Sequence, residues 1–259
     1  MGLCCHKEED SHFGEAGEVK SQPGVNNNLN HEQGGYNNGG YSSTGYSSQP
    51  QQSSAGRNSG AAPADQQIAA YLNALNAIRQ NPSSFVQKIQ SLYIDRLTTS
   101  PDGRPMDSQT NLVYNEGSNI FSEAQNFLRN ARPLSPLTLE SGLCKAAQGQ
   151  SAYCAKVFQP THSGPSGDQP QQRILQYGRF EGYGVQASAE NCGMSIDSNP
   201  ERWLLDLVID DGVPNRGHRK NIFDPNYQKI GLGYTKGQNG YQTSYFSVMN
   251  FASDSYHSN

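Results

Sequence analysis

Ile209-Asp210-Asp211-Gly212-Val213-Pro214-Asn215-Arg216-Gly217-His218-Arg219-Lys220-Asn221-Ile222-Phe223, running on into Ile230-Gly231-Leu232-Gly233-Tyr234, is the stretch that decides how this chain is read. Lys229 to Tyr234 is a strand candidate and Tyr241 to Phe251 a second, with Asn239-Gly240 between them as a hairpin signal. Just upstream, Asn199-Pro200-Glu201 combines a helix cap, a proline for the first turn and an acid at the positive end of the helix. Trp203, Leu204, Leu207 and Val208 then recur at helical spacing as a buried face.

Working further back, Leu139, Leu143, Ala146, Ala147 and Cys154 predict one helix, and Ile120, Phe121, Ala124, Phe127 and Leu128 another, closed by Pro133. Phe85, Ile89, Leu92 and Tyr93 continue a helical face. Ile68, Tyr71, Leu72, Leu75 and Ile78 form the first one, with Asp65 as its N-cap and Asn81-Pro82 as its stop. Helices first and a hairpin last predict an α+β fold.

Before Asp65 the composition changes. Between His31 and Gly60 there is no Leu, Ile, Val, Phe or Trp, and Gly-Tyr recurs at Gly35-Tyr36, Gly40-Tyr41 and Gly45-Tyr46. Such a tract buries too little apolar surface to offset its ordering entropy, so residues 11–64 are expected to be a disordered spacer, with self-association through the tyrosines as the sharper alternative. Residues 65–259 are long enough for one core. The formal net charge is −4, without a Lys/Arg run, which argues against nucleic acid as a partner. Residues 1–10 begin Met-Gly-Leu-Cys-Cys. Gly2 is a myristoylation candidate, although His6 stands where Ser or Thr is usual, and Cys4 and Cys5 are palmitoylation candidates. Two lipid signals anchor stably where one does not, so the expected location is the cytoplasmic face of a membrane, with soluble cytoplasmic as the alternative. Cys144, Cys154 and Cys192 cannot all pair with one another, and Cys144 and Cys154 on one helix would be about 15 Å apart, so reduced thiols are expected.

Three segments carry a resemblance: Thr161-His162-Ser163-Gly164, Ala189-Glu190-Asn191-Cys192-Gly193, and the Gly-His-Arg-x-Asn-Ile stretch with its Ile-Gly-x-Gly ending. In order and spacing they resemble the CAP superfamily (cysteine-rich secretory, antigen 5, pathogenesis-related; the SCP domain), in its bacterial, plant and protist branch. The resemblance covers about residues 66–252. It implies a three-layer α-β-α sandwich and a cleft lined by two histidines and two acids. Carried over, these are His162, His218, Glu190 and Asp206, the last three residues after Trp203 and shorter than the glutamate often found there, with Asp210 as a weaker substitute. Two imidazoles make His162 and His218 a candidate zinc pair. The module is expected to be non-enzymatic, binding a lipid, a sterol or a protein partner. The alternative is a metal-dependent or acid/base hydrolase using the same His/Glu set.

Membrane partition is expected to depend on residues 2–5. Gly2→Ala, and Cys4→Ser with Cys5→Ser, should each move the protein to the soluble fraction. Fractionation in which both variants pellet like the parent would remove the anchor.

Overall fold

The computed structural model describes residues 63–259, with side chains from Gln66 onward. Gly2, Cys4, Cys5 and residues 11–62 of the expected disordered spacer lie outside the described residues, while its last two residues, 63–64, belong to the first helix. Helix α1 runs Pro63–Gln80, so it opens two residues before the expected cap at Asp65 and stops at Asn81 as anticipated. A 3-10 turn at Pro82–Phe85 leads into α2 (Val86–Leu92). A small antiparallel ribbon, β1 (Leu97–Thr99) and β2 (Pro105–Asp107), precedes α3 (Asn119–Asn130).

The next helix corrects the sequence reading at its start. Leu139 belongs to the short strand β3 (Thr138–Leu139), pairs with Ile230 and is 38% exposed, while α4 begins at Ser141 and runs to Val157. Helix α5 (Pro170–Gln176) is opened by a reciprocal cap between Gln169 and Gln172, with Pro170 in its first turn. After β4 (Gly178–Phe180) comes β5 (Ser188–Ser195), a buried strand without clean alternation that carries Glu190, Asn191 and Cys192. In α6 (Pro200–Ile209) the Asn199 Oδ1 accepts from the amides of Glu201 and Arg202, the cap that the Asn-Pro-Glu sequence predicts. The chain closes with α7 (Gly217–Ile222), the long hairpin β6 (Lys229–Asn239) and β7 (Gln242–Ala252), and β8 (Tyr256–Ser258), which pairs with β4.

The central sheet has the order β3-β6-β7-β5, with β3 parallel to β6 and the other pairs antiparallel. Its two faces are covered by different helices. On one face Ile230, Leu232, Met249 and Phe251 join the largest core cluster, shared with α1, α3, α6 and α7. On the other, Val248, Cys192, Phe246 and Ala252 pack against Leu143, Ala146, Ala147 and Cys154 of α4 and Ile174 of α5. This is the expected three-layer α-β-α sandwich.

The second face is flat because of β6. A Cβ on Gly231 would stand 2.0 Å from the carbonyl carbon of Leu143, and one on Gly233 would stand 2.3 Å from that of Ala147. Both clashes are with helix backbone, which cannot turn aside, so the Ile-Gly-Leu-Gly spacing lets α4 lie directly on the sheet.

Trp203 anchors the first face. It is 1% exposed, and its ring meets Tyr71 edge-on at 4.7 Å between centroids. Replacing it with alanine removes transfer energy and opens a cavity, so Trp203→Ala should lower stability by about 3–5 kcal/mol. Urea unfolding monitored by circular dichroism checks this; an unchanged midpoint would contradict the assignment.

Candidate functional site

The three motif segments converge around β5, and the alternation of that strand sorts their side chains to two sides. Asn191 and Gly193 face α6 and α7. The Asn191 amide donates to the carbonyl of His218 (3.1 Å), its Oδ1 accepts from Asn221 (2.8 Å), and the Gly193 α-carbon faces the indole of Trp203. Glu190 and Cys192 face the α4–α5 side, where the 161–168 loop passes.

On that second side Glu190 is the hub. Its side chain is fully buried, and His162 Nδ1 lies 2.9 Å from its Oε1. Arg173, from α5, donates through one nitrogen to both carboxylate oxygens at 2.9 and 2.8 Å. The Cys192 thiol donates to Oε1 at 3.3 Å. The Asn250 amide, turned so that both its ends are satisfied, donates to Oε2 at 3.0 Å. The opposite charge of Arg173 is what allows a carboxylate to be buried here. Arg173 also donates through its other terminal nitrogen to the carbonyls of His162 (2.9 Å) and Asp168, and Gln150 of α4 bonds the carbonyls of Thr161 and Ser163. The loop that carries His162 is therefore pinned from both helices of the layer.

His162, Glu190 and Cys192 offer one nitrogen, one oxygen and one sulfur, all within 4.8 Å of one another. That donor set suits a borderline-soft cation such as Zn²⁺. The ring nitrogen that faces the other two donors is Nδ1, 2.9 Å from Glu190 Oε1 and 3.6 Å from Cys192 Sγ, so a cation held by all three would take the place of the proton shared between His162 and Glu190. Burial is the first cause that pushes the Cys192 thiol well above its ordinary value, with Cys154 and Glu190 adding to it. It is a protonated thiol near neutrality rather than a ready nucleophile.

The structure does not bring the other two expected residues into this group. His218 is on α7, on the Asn191 side of β5. Its Nδ1 meets Asp210 Oδ1 at 2.7 Å and its backbone amide meets Asp210 Oδ2 at 3.1 Å, so Asp210, with left-handed backbone (φ 61°), is the partner of His218. With Nδ1 donating to Asp210, the buried Nε2 of His218 carries the lone pair and has no hydrogen-bond partner. Asp206 lies elsewhere again: its carboxylate accepts from Tyr93 at 2.7 Å and stands 3.6 Å from Arg202. It lines a cavity with Leu112, Met194, Ile196 and Arg202. His162 and His218 bond to different carboxylates, Glu190 and Asp210, and the His218 backbone meets Asn191, which points to the face of β5 away from Glu190. The sequence could not show this, because the identity of a histidine carries no information about which face of β5 its element covers.

The remaining motif residues hold the fold. Arg219 is buried and donates to the carbonyls of Val208 and Ile209 and to Glu123, while Arg216 bridges Glu116 and Glu123. Arg173 is a site residue that sequence reasoning did not select, while Cys154 bonds the Thr161 carbonyl beside the group without being one of its donors. Arg173 was detectable only as a basic residue eleven positions after His162, a weak signal. Among the described residues Cys144, Cys154 and Cys192 are free thiols, and no helix is long and apolar enough to cross a membrane.

Comparison with known proteins gives the family. The family model of the cysteine-rich secretory protein family (CAP) matches residues 122–251, half of the chain, and the chain belongs to that family. No curated protein matches the sequence. Among solved structures, an outer surface protein from Borrelia burgdorferi is 19% identical, over 52% of this chain and 87% of its own, with a TM-score of 0.35. An extracellular protein containing a SCP domain from Bacillus anthracis str. Ames is 18% identical, over 61% of this chain, with a TM-score of 0.34. The match spans 45% of that second protein's length.

Asp206 generates a pH prediction. Burial, opposed by Arg202 and Tyr93, raises its carboxyl to about 6 from an ordinary value of 3.8. A carboxyl raised on folding favours the folded state most when protonated. Its contribution is therefore full below pH 3.8 and is lost as pH rises through 6. By that shift, the contribution amounts to at most about 3 kcal/mol. Asp206→Asn should flatten the pH dependence of the unfolding free energy between pH 4 and pH 6 relative to the parent. Parallel slopes for the two proteins would contradict the shift.

Proposed function

We propose that this chain is a non-enzymatic CAP-family binding module that takes Zn²⁺ through His162, Glu190 and Cys192 and is held at a membrane by lipids on Gly2, Cys4 and Cys5. The observation that supports the zinc reading is the mutual approach of three different donor atoms within 4.8 Å at the floor of the 161–168 loop. The non-enzymatic reading is supported by the same contacts. Both oxygens of Glu190 are engaged by Arg173, which leaves the carboxylate committed to an ion pair, and burial holds the Cys192 thiol well above its ordinary value. Lipid or sterol carriage belongs to the same proposal, and we assign it to the cavity beside Asp206, where Leu112, Met194 and Ile196 supply apolar wall.

Zinc is bound here with loss of a proton from Cys192 and in competition with Arg173 for Glu190, so affinity is modest and rises with pH by about tenfold per unit for each proton released. Calorimetric titration of Zn²⁺ into the full chain should show one site. His162→Ala and Cys192→Ser should each weaken it by roughly tenfold or more, the scale at which zinc-site residues act. His218→Ala should leave it unchanged. Loss of binding in His218→Ala alone would place the site on the other face of β5, and equal affinity in all four proteins would remove zinc from the function.

A further inference from the structure

We propose that Cys154 and Cys192 are a redox pair, which closes to a disulfide under peroxide and in doing so takes the sulfur donor away from the His162–Glu190–Cys192 group. The effect on zinc rests on the function proposed above; the disulfide does not.

Cys154 lies in the last turn of α4 and Cys192 near the middle of β5. Both thiols donate to the same atom, the carbonyl oxygen of Thr161, at 3.6 and 3.5 Å. Two sulfurs converging on one oxygen are neighbours, and each contributes to the other's ionisation. Both residues are buried, at 1% and 4% exposure, in adjoining parts of one layer. Cys192 packs with Ala147 and Val248, and Cys154 with Ala155 and Phe246. Cys144, the remaining described cysteine, is ten residues back along α4, about 15 Å away by helical rise, and takes no part.

A disulfide requires sulfurs about 2.05 Å apart, so one thiol must leave the Thr161 oxygen and turn toward the other. That oxygen is not orphaned by the change, because the Gln150 amide also donates to it. Other contacts are lost. Cys192 lies 3.3 Å from Glu190 Oε1 and 3.6 Å from His162 Nδ1, and a sulfur committed to Cys154 no longer donates to Glu190 or binds a cation as thiolate. Cys192 lies against His162, whose side chain is 18% exposed. Local opening of the 161–168 loop would admit a small oxidant.

With hydrogen peroxide the chemistry balances in two steps. The sulfur of one thiol attacks a peroxide oxygen, the O–O bond breaks, and a sulfenic acid and one water result. The second thiol's sulfur then displaces the hydroxyl, the S–S bond forms, and a second water leaves. The two thiols give up two electrons and two protons, and the peroxide takes both.

The test treats the full chain with hydrogen peroxide, alkylates residual thiols after unfolding, and maps peptides without reduction. The expected result is a peptide pair linking Cys154 to Cys192 that dithiothreitol separates, with Cys144 alkylated. Zinc affinity of the oxidised chain should fall by roughly tenfold or more and return on reduction. Cys154→Ser should give no linked pair and bind zinc like the reduced parent. Alkylation of both Cys154 and Cys192 after peroxide would overturn the pair. A linked pair with unchanged zinc affinity would overturn the switch. A reduced chain that binds no zinc, yet forms the linked pair, would count against the zinc proposal and support the disulfide.

Discussion

The close contact between α4 and the central sheet is the constraint on which the site depends. It exists because Gly231 and Gly233 leave no side chain between β6 and the helix backbone at Leu143 and Ala147. Drawn down onto the sheet, α4 brings Cys154 over the face that carries Cys192 and presents Gln150 to the loop at Thr161. A helix held a side chain's width higher would leave the His162 loop without that support.

Around this contact the charges are arranged so that few are buried alone. Glu190 is matched by Arg173, Asp107 by Arg202, and Asp210 by His218 and the amides of its helix. Arg79, only 1% exposed, bonds the carbonyls of Ile222, Asp224 and Tyr227, tying α1 to the turn between α7 and β6. Breaking any of these would leave a desolvated partner, which costs far more than a surface ion pair contributes. The long Gly-His-Arg motif belongs mainly to this scaffolding. Arg216 and Arg219 gather α3, the end of α6 and α7 into one unit through Glu116 and Glu123.

The site inside this scaffold is polar, compact and largely closed. His162 is its partly exposed member, Glu190 orients it, and Arg173 holds both the carboxylate and the loop. The thiols of Cys154 and Cys192 both donate to the Thr161 carbonyl of that loop.

The sequence by itself determined the elements whose physics is local. Helical spacing marked α1, α3 and the buried face of α6, Asn199-Pro200-Glu201 marked the start of α6, and Asn239-Gly240 marked the turn of the closing hairpin. The motif segments also identified His162 and Glu190 as neighbours. Strand β5 escaped notice because it is buried on both faces and shows no period-two alternation, and Leu139 was assigned to a helix because an edge strand of two residues has no periodicity to read. Only the tertiary structure decided which residues share a space. Successive residues of β5 point to opposite faces of the sheet, so Glu190 joined His162, Arg173 and Cys192, while Asn191 took the His218 backbone on the other face. The approach of the Cys154 and Cys192 thiols to one carbonyl oxygen is set by how α4 lies on β5, which no spacing along the chain encodes.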